Sequence, residues 1–265
     1  MCSKIYVFTL IAVLTVQIAS GDWSGRIVGG VPMSIKTIPY QVSLQVLSGH
    51  KTYHFCGGSI ISNKFIITAC HCTDNLKTQN LKILVGTSFN NRGGEKINAL
   101  KIIRHQNYSR ESLDYDIAVI ELADRLKLSN SIQAIALPKA NESFADNSMC
   151  LVSGWGDTQL PSAFRFQRNA LRAVEVPIVN QEKCNNDYKM LGGITPRMMC
   201  AGYDFGGFDA CAGDSGGPLA CIGQNKTPKL CGIVSWGYEC AAPHFTGVYT
   251  RVQVLLDWIK EKTGI

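Results

Sequence analysis

Along this chain apolar residues recur at every second position or in short runs, and the runs are bounded by Gly, Asn and Pro. Tyr40-Gln-Val-Ser-Leu-Gln-Val46 alternates strictly. That period places one set of side chains on each face of an extended segment and predicts a half-buried strand. Residues 81–85, 117–122, 171–176 and 231–235 are further short apolar runs, and turn clusters such as Asn90-Asn-Arg-Gly-Gly94 separate them. Many short strands joined by Gly-rich turns predict an all-β sandwich or barrel. The pattern changes at the C-terminus. There Val252, Leu255, Leu256 and Ile259 share one face at helical spacing, which predicts an amphipathic helix over about 252–263 with its apolar face on the core.

The N-terminus differs from everything after it. Lys4 precedes an apolar run from Ile5 to Ile18, followed by the small residues Ala19, Ser20 and Gly21. This order predicts a secretory signal over residues 1–21, with cleavage near Gly21. The rival reading is a membrane anchor, but the run falls short of the roughly 20 apolar residues a span needs. Secretion makes the cysteines informative. Eleven less Cys2 leaves ten, an even number that reads as a disulfide framework. Secretion also makes the sequons at Asn107, Asn141 and Asn225 candidate glycosylation sites.

Composition adds bounds. With 265 residues, 46% of them hydrophobic, the chain suits one or two packed domains, and 17% charged residues exclude a disordered solvating chain. The net charge of +6 comes from scattered basic residues with no aromatic-interleaved stripe, so nucleic acid is not an expected partner.

Candidate chemistry centres on residues 208–218. Ser215 stands between Asp214 and the pair Gly216–Gly217. A serine hydroxyl is a weak nucleophile that needs a base and a charge-stabilising pocket. The glycines clear the approach, and the N–H groups of Gly213 and Ser215 can be aimed at one developing oxyanion. A base is available in His71, flanked by Thr68-Ala69 and Cys72, since an imidazole titrates near neutral pH. Asp116 leads into a buried-looking Ile-Ala-Val-Ile run, and a buried carboxylate needs a partner, for which His71 is the candidate. Asp114, two residues earlier, reads as an ordinary solvated turn acid.

Four motifs now stand together: Gly213-Asp-Ser-Gly-Gly-Pro218, Thr68-Ala-Cys-His-Cys72, Asp116-Ile-Ala-Val119 and Arg26-Ile-Val-Gly-Gly30. From Arg26 to the C-terminus the chain resembles the chymotrypsin/trypsin family of serine proteases. The resemblance implies two antiparallel Greek-key β-barrels packed face to face, with a C-terminal α-helix. The N-terminal barrel is expected over about 27–137 and the C-terminal barrel over about 147–250, with the seam in the polar stretch 137–147. It also implies a catalytic triad of His71, Asp116 and Ser215 and an oxyanion hole of Gly213 and Ser215. Residues 22–26 become an activation propeptide, removed by an activating protease after Arg26. The new ammonium on Ile27 then pairs with Asp214; His54 is a candidate to hold Asp214 before that cut, the alternative being a surface histidine. The disulfides carried over are Cys56–Cys72, Cys150–Cys221, Cys184–Cys200 and Cys211–Cys240. Cys70 and Cys231 remain, either as a fifth bridge or as two buried free thiols.

The resemblance also carries specificity. Asp209, six residues before Ser215, matches the base of a primary pocket walled by Ala210, Ser235, Trp236, Gly237 and Gly247, and Ser235 matches a serine that supports Asp116. A carboxylate there wants Arg or Lys before the scissile bond. Ala210 supplies no hydroxyl for the water-bridged contacts a lysine ammonium favours, so Arg is expected over Lys. Glu239 departs from the glycine usual in trypsins and adds negative potential at the pocket mouth or narrows it. The loop from Gly86 to Glu95 is short and has Thr87 where a calcium ligand is usual, so neither structural calcium nor any cofactor is expected. Expected partners are polypeptide substrates with Arg or Lys at the cleavage site and protein protease inhibitors, with no nucleic acid, no membrane and a monomeric chain. Two other functions compete: a catalytically weak family member acting as a binding or adaptor protein, and an α/β-hydrolase esterase. The esterase would need Gly-x-Ser-x-Gly on a strand-to-helix turn in a helix-rich chain, and the helices are missing from the pattern around Ser215.

Overall fold

The computed structural model describes residues 28–156, 169–223 and 225–265. The expected signal peptide, the propeptide and its Arg26–Ile27 cut lie outside the described residues.

Two antiparallel barrels form. The first contains β2 (Gln41–Ser48), β3 (Lys51–Ile60), β4 (Phe65–Thr68), β5 (Leu81–Val85), β6 (Glu95–Arg104) and β7 (Ala118–Leu122), closed in the order β2-β3-β4-β7-β6-β5. The second contains β8 (Met149–Gly154), β9 (Arg172–Val179), β10 (Met198–Ala201), β11 (Pro218–Ile222), β12 (Pro228–Trp236) and β13 (Gly247–Arg251). Its order is β9-β10-β13-β12-β11-β8, closed by the β8–β9 pairing, and a two-residue β1 (Val31–Pro32) adds to β9. Closure leaves few exposed edges, the recurrent liability of sheets. Val42, Leu44, Ile66, Ile83 and Val119 fill the first barrel, and Val152, Val176, Leu219 and Tyr249 the second, all without solvent exposure.

The alternation at 40–46 predicted a half-buried strand, yet the polar residues Gln41, Ser43 and Gln45 of β2 are fully buried as well. The second barrel covers this outer face at Gln41, where the Ser153 hydroxyl on β8 donates to Gln41 Oε1 at 2.6 Å, and residues of the first barrel cover the rest: Ser43 meets His54, and Gln45 bonds to Thr52 and Asn90. The C-terminal helix begins as a 3-10 turn over Val252–Leu255 and becomes α-helical over Leu256–Thr263, with Val252, Leu255 and Ile259 in the core. A short helix, α1 (Gln181–Asp187), was not anticipated. Its cap was legible, since Asn180 accepts from the N–H groups of Glu182 and Lys183.

Sulfur bonds join Cys56 to Cys72, Cys150 to Cys221, Cys184 to Cys200 and Cys211 to Cys240. The suggested Cys70–Cys231 bridge is not formed. Cys70 follows β4 in the first barrel as a buried free cysteine, whereas Cys231 lies on β12 of the second with its sulfur against Cys221. Burial, reinforced by the charges of Asp116 and Asp74, pushes the Cys70 thiol up to about 12, so it stays protonated and unreactive.

Candidate active site

The site lies where loops of the two barrels meet. β4 ends at Thr68, and His71 opens one 3-10 turn that the Cys56–Cys72 bond ties back to β3. Asp116 precedes β7, the neighbour of β4, and is completely buried. Its carboxylate accepts three hydrogen bonds: His71 N–H to Oδ1 at 2.9 Å, His71 Nδ1 to Oδ2 at 2.7 Å and the Ser235 hydroxyl to Oδ2 at 2.6 Å. The Thr250 hydroxyl of β13 donates to the Asp116 carbonyl at 2.8 Å. These bonds satisfy a buried charge and set the ring's orientation, with Nδ1–H toward Asp116 and Nε2 left as the basic nitrogen. Burial pushes the His71 pKa down, but the Asp116 hydrogen bond and charge, aided by Asp74, outweigh it and hold the pKa above the ordinary value.

Ser215 reaches the same seam through its backbone. Its carbonyl accepts from Gly57 N–H at 2.8 Å, beside Cys56. Gly216 is at φ +77°, and a Cβ there would lie 2.2 Å from Thr68 Oγ1 and 2.7 Å from the Gly57 carbonyl, so only glycine permits this approach of the barrels. No Ser215–His71 hydrogen bond is among those formed by the described residues. The N–H groups of Gly213 and Ser215 also find no protein acceptor among the described residues and remain available to a ligand.

Below Ser215 opens a cavity of about 200 Å³, lined by Asp209, Ala210, Val234–Cys240 and Gly247–Tyr249. Asp209 lies on its wall and is 4% exposed. Its carboxylate accepts from the N–H groups of Ala210 at 2.7 Å and Ala241 at 3.2 Å. Burial pushes its pKa up to about 7, against the lowering effect of those two bonds, and the Asp214 charge adds to the rise. A Cβ on Gly247 would stand 2.5 Å from Asp209 Oδ1, whereas one on Gly237 would meet nothing nearer than Tyr188 Oη at 4.0 Å. The two glycines therefore differ: Gly247 makes room for the acid, and Gly237 leaves the slot open. Glu239 is exposed and borders the same cavity.

Asp214 is fully buried and accepts from Gly156 N–H at 2.7 Å and Cys211 N–H at 3.0 Å. Val28 pairs with Asp209 through the Asp209 N–H and the Val28 carbonyl at 3.2 Å, which brings the start of the described chain beside the pocket.

Two sequence readings need correction. Asp114 is no solvated turn acid: it is ion-paired with Arg197 and accepts from Thr195 Oγ1 at 2.8 Å. Burial alone would raise its pKa, but the Arg197 and Thr195 hydrogen bonds lower it overall. His54 is no simple surface histidine either. Its Nδ1 meets Ser43 Oγ at 2.8 Å and its Nε2 lies 2.9 Å from the Gly213 carbonyl, so it braces the loop before Ser215. Sequence reading also missed Thr250, whose partner is 134 positions away. Within the Gly86–Glu95 loop, Thr87 Oγ1 accepts from Phe89 N–H and donates to the Arg92 carbonyl, while Arg92 stacks on Phe89. Asn107, Asn141 and Asn225 are all exposed, and no helix among the described residues is long and apolar enough to cross a membrane.

The family model described as Trypsin matches residues 27–259. Among curated proteins the chain is similar to Trypsin 5G1 of Aedes aegypti, 43% identical over 91% of this chain and 86% of that protein. It is also similar to a trypsin of Xenopus laevis, 39% identical over 96% of this chain and 97% of the relative. The anionic trypsin of Canis lupus familiaris is 41% identical, with 90% of each covered.

Proposed function

The chain belongs to the trypsin family and is a trypsin-like serine endopeptidase, and on that premise we propose that it is a secreted zymogen cutting after Arg in preference to Lys. This family is the type case of the Ser–His–Asp triad, so the cycle is carried over from it. Ser215 attacks the scissile carbonyl while His71 Nε2 takes its proton. The N–H groups of Gly213 and Ser215 hold the oxyanion, and loss of one such donor costs on the order of 3 kcal/mol. His71 then protonates the leaving amine, and water, activated by the same ring, releases the acyl group. Asp116 keeps the tautomer and stabilises the imidazolium. The observation that carries this assignment is the buried Asp116, hydrogen-bonded at once to His71 and Ser235 from opposite barrels.

The preference for a cationic side chain rests on Asp209, a nearly buried acid on a mostly apolar cavity wall. A guanidinium entering there pairs with a carboxylate whose burial two backbone N–H bonds offset only in part, which favours the charged form. Activation after Arg26 is supported by the position of Val28 against Asp209, because Ile27 is one residue from that contact. Cleavage gives Ile27 an ammonium that is charged below a pKa of about 8, a counter-ion for the buried Asp214. Secretion rests on the N-terminal apolar run, and the division into barrels near residues 137–147 on the polar stretch there.

The test is direct. After trypsin treatment, the chain should react with a fluorophosphonate at Ser215 and hydrolyse Arg-ester substrates faster than matched Lys esters, while the uncut chain should do neither appreciably. A cut, folded protein that stays unlabelled and inactive would favour the adaptor reading, and equal Arg and Lys turnover would remove the role given to Ala210.

A further inference from the structure

The catalytic cycle leaves one cluster of sulfurs without a role. Cys150 on β8, Cys221 on β11 and Cys231 on β12 lie on three neighbouring strands, each at most 2% exposed, with all three sulfurs within 4.8 Å of one another. Cys150 and Cys221 are direct cross-strand partners, their Cα atoms 4.2 Å apart. Cys231 sits at an irregularity of the β11–β12 ladder. Leu230 opposes Ala220 and Gly232 opposes Leu219, which leaves Cys231 unpaired, with its Cα 5.9 Å from that of Cys221. A bulge of this kind re-aims a side chain, here toward Cys221. Cys221 therefore lies within bridging reach of both neighbours, and one sulfur closes one disulfide, so the third must be a thiol.

We propose that Cys150, Cys221 and Cys231 form a disulfide-exchange centre in which Cys221 is the shared sulfur. The Cys231 thiolate attacks Cys221 Sγ, the Cys221–Cys231 bond forms as the Cys150–Cys221 bond breaks, and Cys150 leaves as a thiolate that takes up the proton Cys231 released. No oxidant or reductant is consumed, and the reverse step restores the first bridge. Cys231 also lines a crevice of about 120 Å³ shared with Arg251. The two bridges span sequence separations of 71 and 10 residues. Loop closure falls as the three-halves power of length, so in the unfolded chain the short bridge closes about 20-fold more readily. Exchange then transfers Cys221 to Cys150 once β8 and β11 have paired.

The folded full chain, equilibrated with a glutathione redox buffer at about pH 8, where thiols begin to ionise, is quenched in acid, capped with N-ethylmaleimide and mapped without reduction. Two linked peptides are expected, Cys150–Cys221 with a capped Cys231, and Cys221–Cys231 with a capped Cys150. The C150S variant should keep Cys221–Cys231, and C231S should keep Cys150–Cys221 but close it up to about 20-fold more slowly on refolding. A wild-type map with a single pairing overturns the proposal, as does a folded C150S protein with both Cys221 and Cys231 capped. Should C150S fail to fold, the wild-type map decides alone.

Discussion

Asp209→Asn should make the unliganded protein more stable at alkaline pH while removing its preference for Arg. Asp209 is 4% exposed, and burial raises its pKa from 3.8 to about 7. A carboxyl whose folded pKa lies above its unfolded value favours the fold most below the unfolded pKa, and that contribution disappears as pH rises through about 7. A shift of about three units at 1.36 kcal/mol each corresponds to about 4 kcal/mol. Asparagine never ionises, so it avoids this loss. It offers one acceptor oxygen to the two N–H donors of Ala210 and Ala241, which costs about 1 kcal/mol. The variant should therefore be about 3 kcal/mol more stable than the parent at about pH 8 and about 1 kcal/mol less stable at about pH 4. Urea unfolding of both proteins in a Ser215→Ala background, which prevents autolysis, measures this directly. Truncating one partner of a buried charge pair costs about 2–5 kcal/mol, so kcat/KM for an Arg substrate should fall between about 30-fold and several thousand-fold, with a neutral substrate spared. Parallel stability curves between about pH 4 and 8, or an equal loss on Arg and neutral substrates, would refute the reasoning.

Asp116→Asn should lower kcat by about 10⁴-fold. It should also move the rising limb of kcat/KM against pH downward, because the Asp116 bond and charge are what lift the His71 pKa over the opposing effect of burial; a pH–rate profile reads both. Gly247→Ala puts a methyl group 2.5 Å from Asp209 Oδ1, and should reduce kcat/KM for Arg esters between about 5-fold and about 150-fold, since overpacking costs about 1–3 kcal/mol. Fluorophosphonate labelling of Ser215 should survive that change, which separates a damaged pocket from a damaged triad. Arg197→Ala should destabilise the fold by about 1–2 kcal/mol in urea unfolding, because it strips the charged partner from the half-buried Asp114.

Much of the architecture was legible because closed antiparallel barrels need short strands and frequent turns, and both leave local marks. The run at 81–85 became β5 without change, and the helical spacing at 252–259 became the terminal helix. The pattern at 40–46 misled because alternation reports only one covered face, and here the other is covered as well, by the second barrel at Gln41 and by Thr52 and Asn90 of the first at Gln45. Asp114 misled for a similar reason: its partner Arg197 is 83 positions away, and nothing near an acid in sequence announces a distant guanidinium.

By itself the sequence determined the family and the all-β class, because motifs and strand periodicity are local and survive in one dimension. It also marked which residues carry reactive groups. Only the tertiary structure decided what those groups face. His54 meets a carbonyl 159 positions away, Asp116 is held from the second barrel by Ser235 and Thr250, and Cys231 meets Cys221 because an irregular ladder re-aims one side chain. Such contacts depend on barrel closure and strand register, which local sequence periodicity does not record.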